Sequence, residues 1–439
     1  MADARLTAAK LLLKMESSEA YSNILLDKAF EGSDLSEKDK AFAAALFYGV
    51  TERRVTLDYI IAQNSRIPFE KLEAAAVTVL RMGFYQILYM PSVPESAAVN
   101  ESVKLCKKLK AFSAQGFVNG MLRSFIRNHK RISYQGMSRS QRLSIEFSCP
   151  EWLADKLTEE YGIERAVQIL EVSLGKPPVY ARVNTLKCTD EELIKALAKE
   201  KITAEPHPQL EHCLKLGRTG DLEKSKAFRS GMFHVQDISS QLCCLTLRPI
   251  VNDVVLDMCA APGGKTFTMA ELMGNNGRII SMDLHDMRAA LIEDGASRLG
   301  LSIVEARQND ALQFNEALPM ADKVLCDVPC SGFGVIRRKP EIKYKSPEEF
   351  ADLPNIQRAI LENASRYVKV GGTLVYSTCT LSRAENDDVA DDFAAKHPEF
   401  SPIICPIPWE GAQSTFKRTF FPTADGGDGF FTASFRRIK

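Results

Sequence analysis

Two thiols and four carboxylates stand out because each closes a short apolar run. Cys330 lies in "CDVPCSGFG" and Cys379 in "VYSTCTLSRAEND", both in turns rich in Gly, Ser and Thr. Backbone amides and helix N-termini in such turns can stabilise a thiolate, which sets these two apart from an inert buried cysteine. Cys326, inside an apolar run, and Cys243 and Cys244, in an apolar helical stretch, read as inert. Asp257, Asp283, Asp310 and Asp327 follow the runs "VVL", "RIISM", "IVEARQN" and "ADKVLC". One such Asp reads as a helix cap. Four at the ends of successive runs outline a site for a cation.

The loop after the first run, "CAAPGGKT", ends in Gly-Lys-Thr and invites comparison with a phosphate cradle. The nucleotide-hydrolase signature needs a Gly five residues before Gly264, where this chain has Cys259. Pro262 also lacks an N–H, so an amide nest around polyphosphate is disfavoured. Gly263 and Gly264 still admit close backbone approach. Asp283 lies nineteen residues beyond Gly264, close to the offset of about 20 at which an acid meets ribose hydroxyls in dinucleotide folds. A nucleoside without phosphates fits, and S-adenosyl-L-methionine has the sulfonium and ammonium that such acids would hold.

A cysteine at the centre of methyl transfer implies an acceptor carbon that is not nucleophilic by itself, such as C5 of cytosine or uracil. A thiolate adding to C6 makes C5 nucleophilic, and loss of the C5 proton later expels the sulfur. Asp327 is placed to hold the N3 edge and exocyclic amine. The residues alone leave open which cysteine attacks.

The elements that must position these groups follow from hydrophobic pattern. After Gln236, continuous apolar runs alternate with helical stretches, which predicts a parallel sheet with crossover helices and ligands beyond the strand C-termini. Residues 1–140 show helical spacing throughout and form an all-α domain, with starts such as Ser33/Asp34 and a stop at Pro91. Residues 141–235 contain linker helices, a strand "VYARVNTL", a capped helix "TDEELIKALAKE" and a poorly patterned stretch, together a small α+β domain. Residues 236–439 form the α/β domain.

The net charge of zero hides an asymmetry. Residues 1–140 hold 20 Lys and Arg against 14 Asp and Glu, and Lys104–Arg142 holds ten cations with no carboxylate. Phe112, Phe117, Phe125 and Tyr134 are interleaved there. A polyanion partner is expected, with Arg123 and Arg127 among its contacts. No run of eighteen apolar residues predicts a membrane span, and the N-terminal "MADARLTAAKLLLKMESSEA" reads as an amphipathic helix, not a signal peptide. Eleven Cys without framework spacing suggest reduced thiols and a cytoplasmic protein. His207, His212 and Cys213 are too irregularly spaced to predict a metal.

"DMCAAPGGKT", "DVPCSG" and "YSTCTLSRAEN" resemble the motifs of RNA 5-methylcytosine methyltransferases of the Nol1/Nop2/Sun family, and "GGDGFFTASFRR" is similar to that family's last hairpin. The first domain resembles a NusB-type RNA-binding domain, through "LRMGFYQILYMPSVPESAAVNESVKL" and "GFVNGMLRSFIR". The resemblance implies a Rossmann-like methyltransferase domain behind a NusB-like one, with small-subunit (16S) ribosomal RNA as partner; a monomer without a metal is expected. It implies that Cys379 attacks, that Cys330 assists release, and that Asp327 serves base and cofactor. Cys259, Ala260, Ala261, Pro262, Gly263, Gly264, Lys265, Asp283, Asp310 and Asp327 would bind the cofactor, Asp283 at the ribose and Asp310 at the adenine. Val328 and Phe333 depart from the family's smaller residues. Alternatives are a uracil or tRNA cytosine methyltransferase on the same domain, or a non-catalytic RNA-binding protein.

Overall fold

The computed structural model describes residues 3–16, 22–217, 219–405, 415–424 and 426–439. The chain forms two compact units, Met1–Gly175 with Ile336–Lys345, and Lys176–Val335 with Ser346–Lys439.

The first unit is helical: α1 (Ala4–Glu16), α2 (Ser22–Phe30), α3 (Glu37–Glu52), α4 (Arg54–Asn64), α5 (Ala74–Tyr89), α6 (Glu95–Lys108), α7 (Gln115–Arg127), α8 (Arg139–Glu146), α9 (Glu151–Tyr161) and α10 (Ile163–Val172). The end of the predicted N-terminal helix, beyond Glu16, lies outside the described residues. The start predicted at Ser33/Asp34 falls later, at Ser36, whose hydroxyl accepts from the Asp39 N–H at 3.2 Å. Phe47, Leu57, Leu80, Phe84, Leu122 and Phe125 are fully buried together, with Phe84 and Phe125 edge to face at 5.0 Å. Gly49 lets α3 approach α5, since a Cβ there would lie 2.0 Å from the Tyr85 ring. All ten cations of Lys104–Arg142 are exposed. Phe125, interleaved among them in sequence, belongs to the core because it falls on the buried face of α7.

The excursion Ile336–Lys345 packs within this helical unit. Lys343 is 1% exposed and donates from Nζ to the Glu52 carbonyl at 2.7 Å. Tyr344 donates from its hydroxyl to the Thr51 carbonyl at 2.7 Å and lies under the Arg54 guanidinium. Burial brings the Lys343 ammonium down to about 8.

The second unit holds two sheets. The smaller has strand order β2-β3-β1-β4, all antiparallel, from β1 (Val179–Val183), β2 (Thr203–Pro206), β3 (Cys213–Gly217) and β4 (Phe233–Val235). It carries α11 (Asp190–Lys199) and α12 (Lys226–Arg229). Thr189 and Glu192 close a capping box on α11, as the sequence predicts. The stretch that showed no pattern contains β2, a short edge strand with mostly exposed residues and hence no alternation to read.

The larger sheet has the order β10-β12-β9-β8-β5-β6-β7, with β11 paired to β12. Its strands are β5 (Val254–Asp257), β6 (Arg278–Asp283), β7 (Val304–Gln308), β8 (Ala321–Asp327), β9 (Val368–Thr378), β10 (Phe400–Pro402), β11 (Lys417–Phe420) and β12 (Phe430–Arg437). β5 to β9 are parallel, as their apolar runs predict. β10, β11 and β12 are antiparallel, so the sheet is mixed. Val255, Ile279, Leu325 and Val375 face α13 (Ile238–Leu247), α14 (Gly264–Leu272) and α15 (Asp286–Leu299). Leu256, Ile280, Val324 and Leu374 face α16 (Leu353–Ser365) and α17 (Asp387–Lys396). Burial on both faces explains the unbroken apolar runs.

Candidate active site

β5 and β8 are neighbours whose following connections lead to opposite halves of the sheet, the switch point where open α/β sheets bind ligands. Asp257 ends β5 and pairs in register with Ser281 and Leu325, so Asp283 and Asp327 each stand two residues further out. The period of two puts all three on the α14 face. The expected single level of acids is therefore a staircase.

Asp257 is fully buried. Its Oδ2 accepts from the Thr266 hydroxyl at 2.7 Å, while Oδ1 has no hydrogen-bond partner among the described residues. Burial pushes its carboxyl up to about 7. Lys265, in the first turn of α14, lies 2.6 Å from Asp327 Oδ2. Burial works against the ammonium, but the Asp327 carboxylate prevails and holds it above the usual lysine range. Asp327 Oδ1 accepts from the Ser377 hydroxyl at 2.9 Å.

The loop Cys259–Gly264 turns tightly. Ala260 N–H donates to the Met282 carbonyl at 2.7 Å, and Gly263 N–H to the Ala260 carbonyl at 2.8 Å. Gly263 has φ 107°, a conformation open to glycine, and a Cβ there would meet the Phe267 ring at 2.4 Å. Gly264 has nothing nearer its missing Cβ than Gln236 at 3.9 Å, so the loop leaves room for a ligand. A cleft of about 200 Å³ opens here, lined by Gln236, Asp257, Cys259 to Pro262, Gly264, Lys265 and Asp327 among others. A lysine-paired aspartate in an open cleft, beside a buried second carboxyl, suits a cationic nucleoside.

Asp283 and Asp310 are outside the lining of that cleft. Asp283 is buried and its Oδ1 accepts from His285 N–H at 3.2 Å. Asp310 closes its own turn, accepting from Leu312 N–H at 2.9 Å and the Gln313 amide at 3.0 Å.

Cys330 and Cys379 meet with their sulfurs 3.2 Å apart. The hydrogen bond to Cys379, followed by burial, holds the Cys330 thiol well above its ordinary range. Glu385 ties the two loops. Its carboxylate accepts from Ser331 N–H at 2.9 Å, the Ser331 hydroxyl at 2.6 Å and the Gln357 amide at 3.0 Å. Gly334 N–H donates to the Cys379 carbonyl at 3.0 Å, and a Cβ at Gly334 would collide with the Gly429 carbonyl at 1.9 Å. Glu385, Gln357 and Gly334 were not singled out from the sequence. Glu385 lies within the quoted "SRAEN", and its distance from Cys330 in the chain hid its role.

His212 pairs with Asp190 at 2.9 Å, and the Cys213 sulfur lies 3.4 Å from the Gln241 amide. Among the described residues no group of three or more His, Cys, Asp or Glu is arranged to hold a metal, and no helix is long and apolar enough to cross a membrane.

The family model described as 16S rRNA methyltransferase RsmB/F matches residues 244–436. The NusB family model matches 2–127, and the ferredoxin-like domain of RsmF/B-like methyltransferases matches 149–223. A probable ribosomal RNA small subunit methyltransferase B of Bacillus subtilis is 38% identical over 98% of both chains. NSun6 from Pyrococcus horikoshii, solved with SFG, is 26% identical at a TM-score of 0.60, covering 66% of this chain and 98% of its own. The structure of PH0851, 24% identical, shares the fold over 100% of this chain and 99% of its own at a TM-score of 0.83. A NusB-type helical domain, a ferredoxin-like middle domain and a mixed-sheet methyltransferase domain are thus joined in one chain, which belongs to the RsmB/F family of small-subunit ribosomal RNA methyltransferases.

Proposed function

We propose that the protein methylates C5 of a cytosine in 16S ribosomal RNA, using S-adenosyl-L-methionine and a covalent bond between Cys379 and C6 of the base. The observation that carries this reading is the 3.2 Å approach of two thiols beside the strand that ends in Asp327. Methylation of a nitrogen or an oxygen needs no sulfur nucleophile, whereas C5 does. The NSun6 relative solved with SFG, an analogue of the cofactor, supports the choice of methyl donor.

Cys259 to Lys265, with Asp283, Asp310 and Asp327, would hold the cofactor, which when bound supplies an electrophilic methyl group. Cys379 adds to C6 as a thiolate. Cys330, protonated in the free enzyme, donates to that sulfur and steadies its charge. Asp327, oriented by Lys265 and Ser377, holds the N3 edge and exocyclic amine. After transfer the C5 proton passes to solvent water, the electron pair of the C5–H bond restores the C5–C6 double bond, and the Cys379 sulfur departs with help from Cys330. The exposed cations of the helical unit suit the phosphates of the RNA.

Replacing Cys379 by Ala should abolish methylation while cofactor binding persists. Replacing Cys330 by Ala should trap RNA on the protein as a retarded band in a denaturing gel. Trapping by the Cys379 variant alone would reverse the two roles. Methylation at full rate without Cys379 would remove the covalent mechanism.

A further inference from the structure

The parallel ladder between β8 and β9 ends at Asp327 and Ser377, before either thiol is reached. Paired strands run about 4.8 Å apart, so the ladder alone does not bring two sulfurs to 3.2 Å. What closes the gap is a buried chain of hydroxyls that ends at Glu385. Thr380, the residue after Cys379, has its hydroxyl 2.6 Å from that of Ser331, the residue after Cys330. Ser331 has one hydroxyl proton, which goes to Glu385 Oε1 at 2.6 Å, so Thr380 must donate to Ser331. Glu385 Oε2 accepts from the Ser331 N–H at 2.9 Å and from the Gln357 amide at 3.0 Å. That amide also donates to the Pro329 carbonyl at 2.9 Å. Ser331, Thr380, Glu385 and Gln357 are each at most 3% exposed.

Glu385 is not placed to act on the substrate itself, because both of its oxygens accept from donors of the protein and it has almost no surface. A buried carboxylate is costly to desolvate, and apolar packing would hold two loops without that penalty. What the carboxylate adds is direction: it orients every proton in the chain and so fixes where each loop stops. The consequence falls on one step. In release, the C5–H electron pair becomes the C5–C6 double bond, the proton passes to water, and the C6–S pair stays on Cys379 as a thiolate. An S–H donor beside that sulfur stabilises the thiolate and not the adduct, so withdrawing the donor favours the adduct. We propose that Glu385 is a positioning residue for release: through Ser331 and Thr380 it keeps Cys330 against Cys379. This rests on the roles given to the two cysteines above.

The test uses the intact protein, S-adenosylmethionine and unmodified 16S ribosomal RNA. Its readouts are a denaturing gel, single-turnover methyl transfer and steady-state turnover. Glu385→Ala should lower steady-state turnover by about tenfold or more. It should also accumulate a retarded RNA–protein band, as Cys330→Ala should, while the first methyl transfer changes less. Ser331→Ala cuts the link to Thr380 but leaves Glu385 in place, and should give a weaker band. Glu385→Gln keeps an acceptor for the Ser331 N–H, so it should return turnover toward wild type and reduce the band. A merely structural role would lower both phases together and leave no band. That outcome in Glu385→Ala, with a band in Cys330→Ala, would overturn this inference alone. Should Glu385→Ala fail to fold, the same comparison with Ser331→Ala decides. Absence of a band in Cys330→Ala would instead remove the cysteine roles on which the inference rests.

Discussion

The catalytic unit partly buries a lysine and the helical unit buries one fully, and the two are treated in opposite ways. Lys265 faces the Asp327 carboxylate at 2.6 Å and holds its proton tightly. Lys343 meets the carbonyl of Glu52 at 2.7 Å and titrates near 8. A carboxylate compensates the desolvation of an ammonium, while one carbonyl dipole does so only in part. The surroundings differ in the same sense. Around Lys265, Asp257 and Gln236 line a cleft, and each keeps a buried polar atom, Oδ1 and Nε2, without a hydrogen-bond partner among the described residues. Around Lys343, Tyr344 and Arg54 close the packing over the end of α3. A lysine and acids gathered at a cleft mark a place meant for a ligand. Polar atoms closed on one another anchor a segment.

The sharpest way to break this contrast is to remove both amines. Lys265→Met leaves Asp327 without its cation, and turnover should fall by about a hundredfold or more. Lys343→Met should leave turnover within a few-fold. Equal losses in steady-state assays would erase the distinction.

A second test concerns Asp257. Its folded pKa of about 7 lies above its ordinary value of 3.8, so folding binds a proton between them. Its contribution is present in full below pH 4 and is lost as pH rises through 7, by about 4 kcal/mol at most. Asp257→Asn should flatten that part of the stability profile measured by denaturant titration. A cationic ligand should favour the carboxylate, so binding at pH 7 should release up to about half a proton. Calorimetry in two buffers of different ionisation enthalpy measures this, and proton uptake would contradict it.

The smallest expected effect belongs to Lys343. Its pKa is lowered on folding from 10.5 to about 8, so the unfolded chain holds the proton between those values. Stability from this group should therefore rise between pH 8 and 10.5, by about 3 kcal/mol at most. Lys343→Met should abolish the rise. A slope that survived the substitution would mean that Lys343 is not the titrating group.

Much of the fold was legible because its cause is local. β5 to β9 are buried on both faces, and their apolar runs announce a parallel sheet. Thr189 and Glu192 announce a cap. β2 was not legible, since an edge strand with exposed residues carries no period. The burial of Phe125 was not legible, since a basic run does not reveal which helix face each residue occupies. Loop composition singled out Cys330 and Cys379, but Glu385, Gln357 and Gln236 act on partners far along the chain.

By itself the sequence determined residue types and local conformation: which runs become strands, where glycines permit the tight turn at Gly263, and which acids and thiols stand at strand ends. Periodicity, capping and steric freedom act over a few residues, so they can be read in order. Only the tertiary structure decided that Cys330 and Cys379 touch, that Asp327 takes Lys265 as its partner, and that Ile336–Lys345 packs in the helical unit. Those outcomes depend on strand order and on burial, which set dielectric and partner together. Neither is a property of any short stretch of chain.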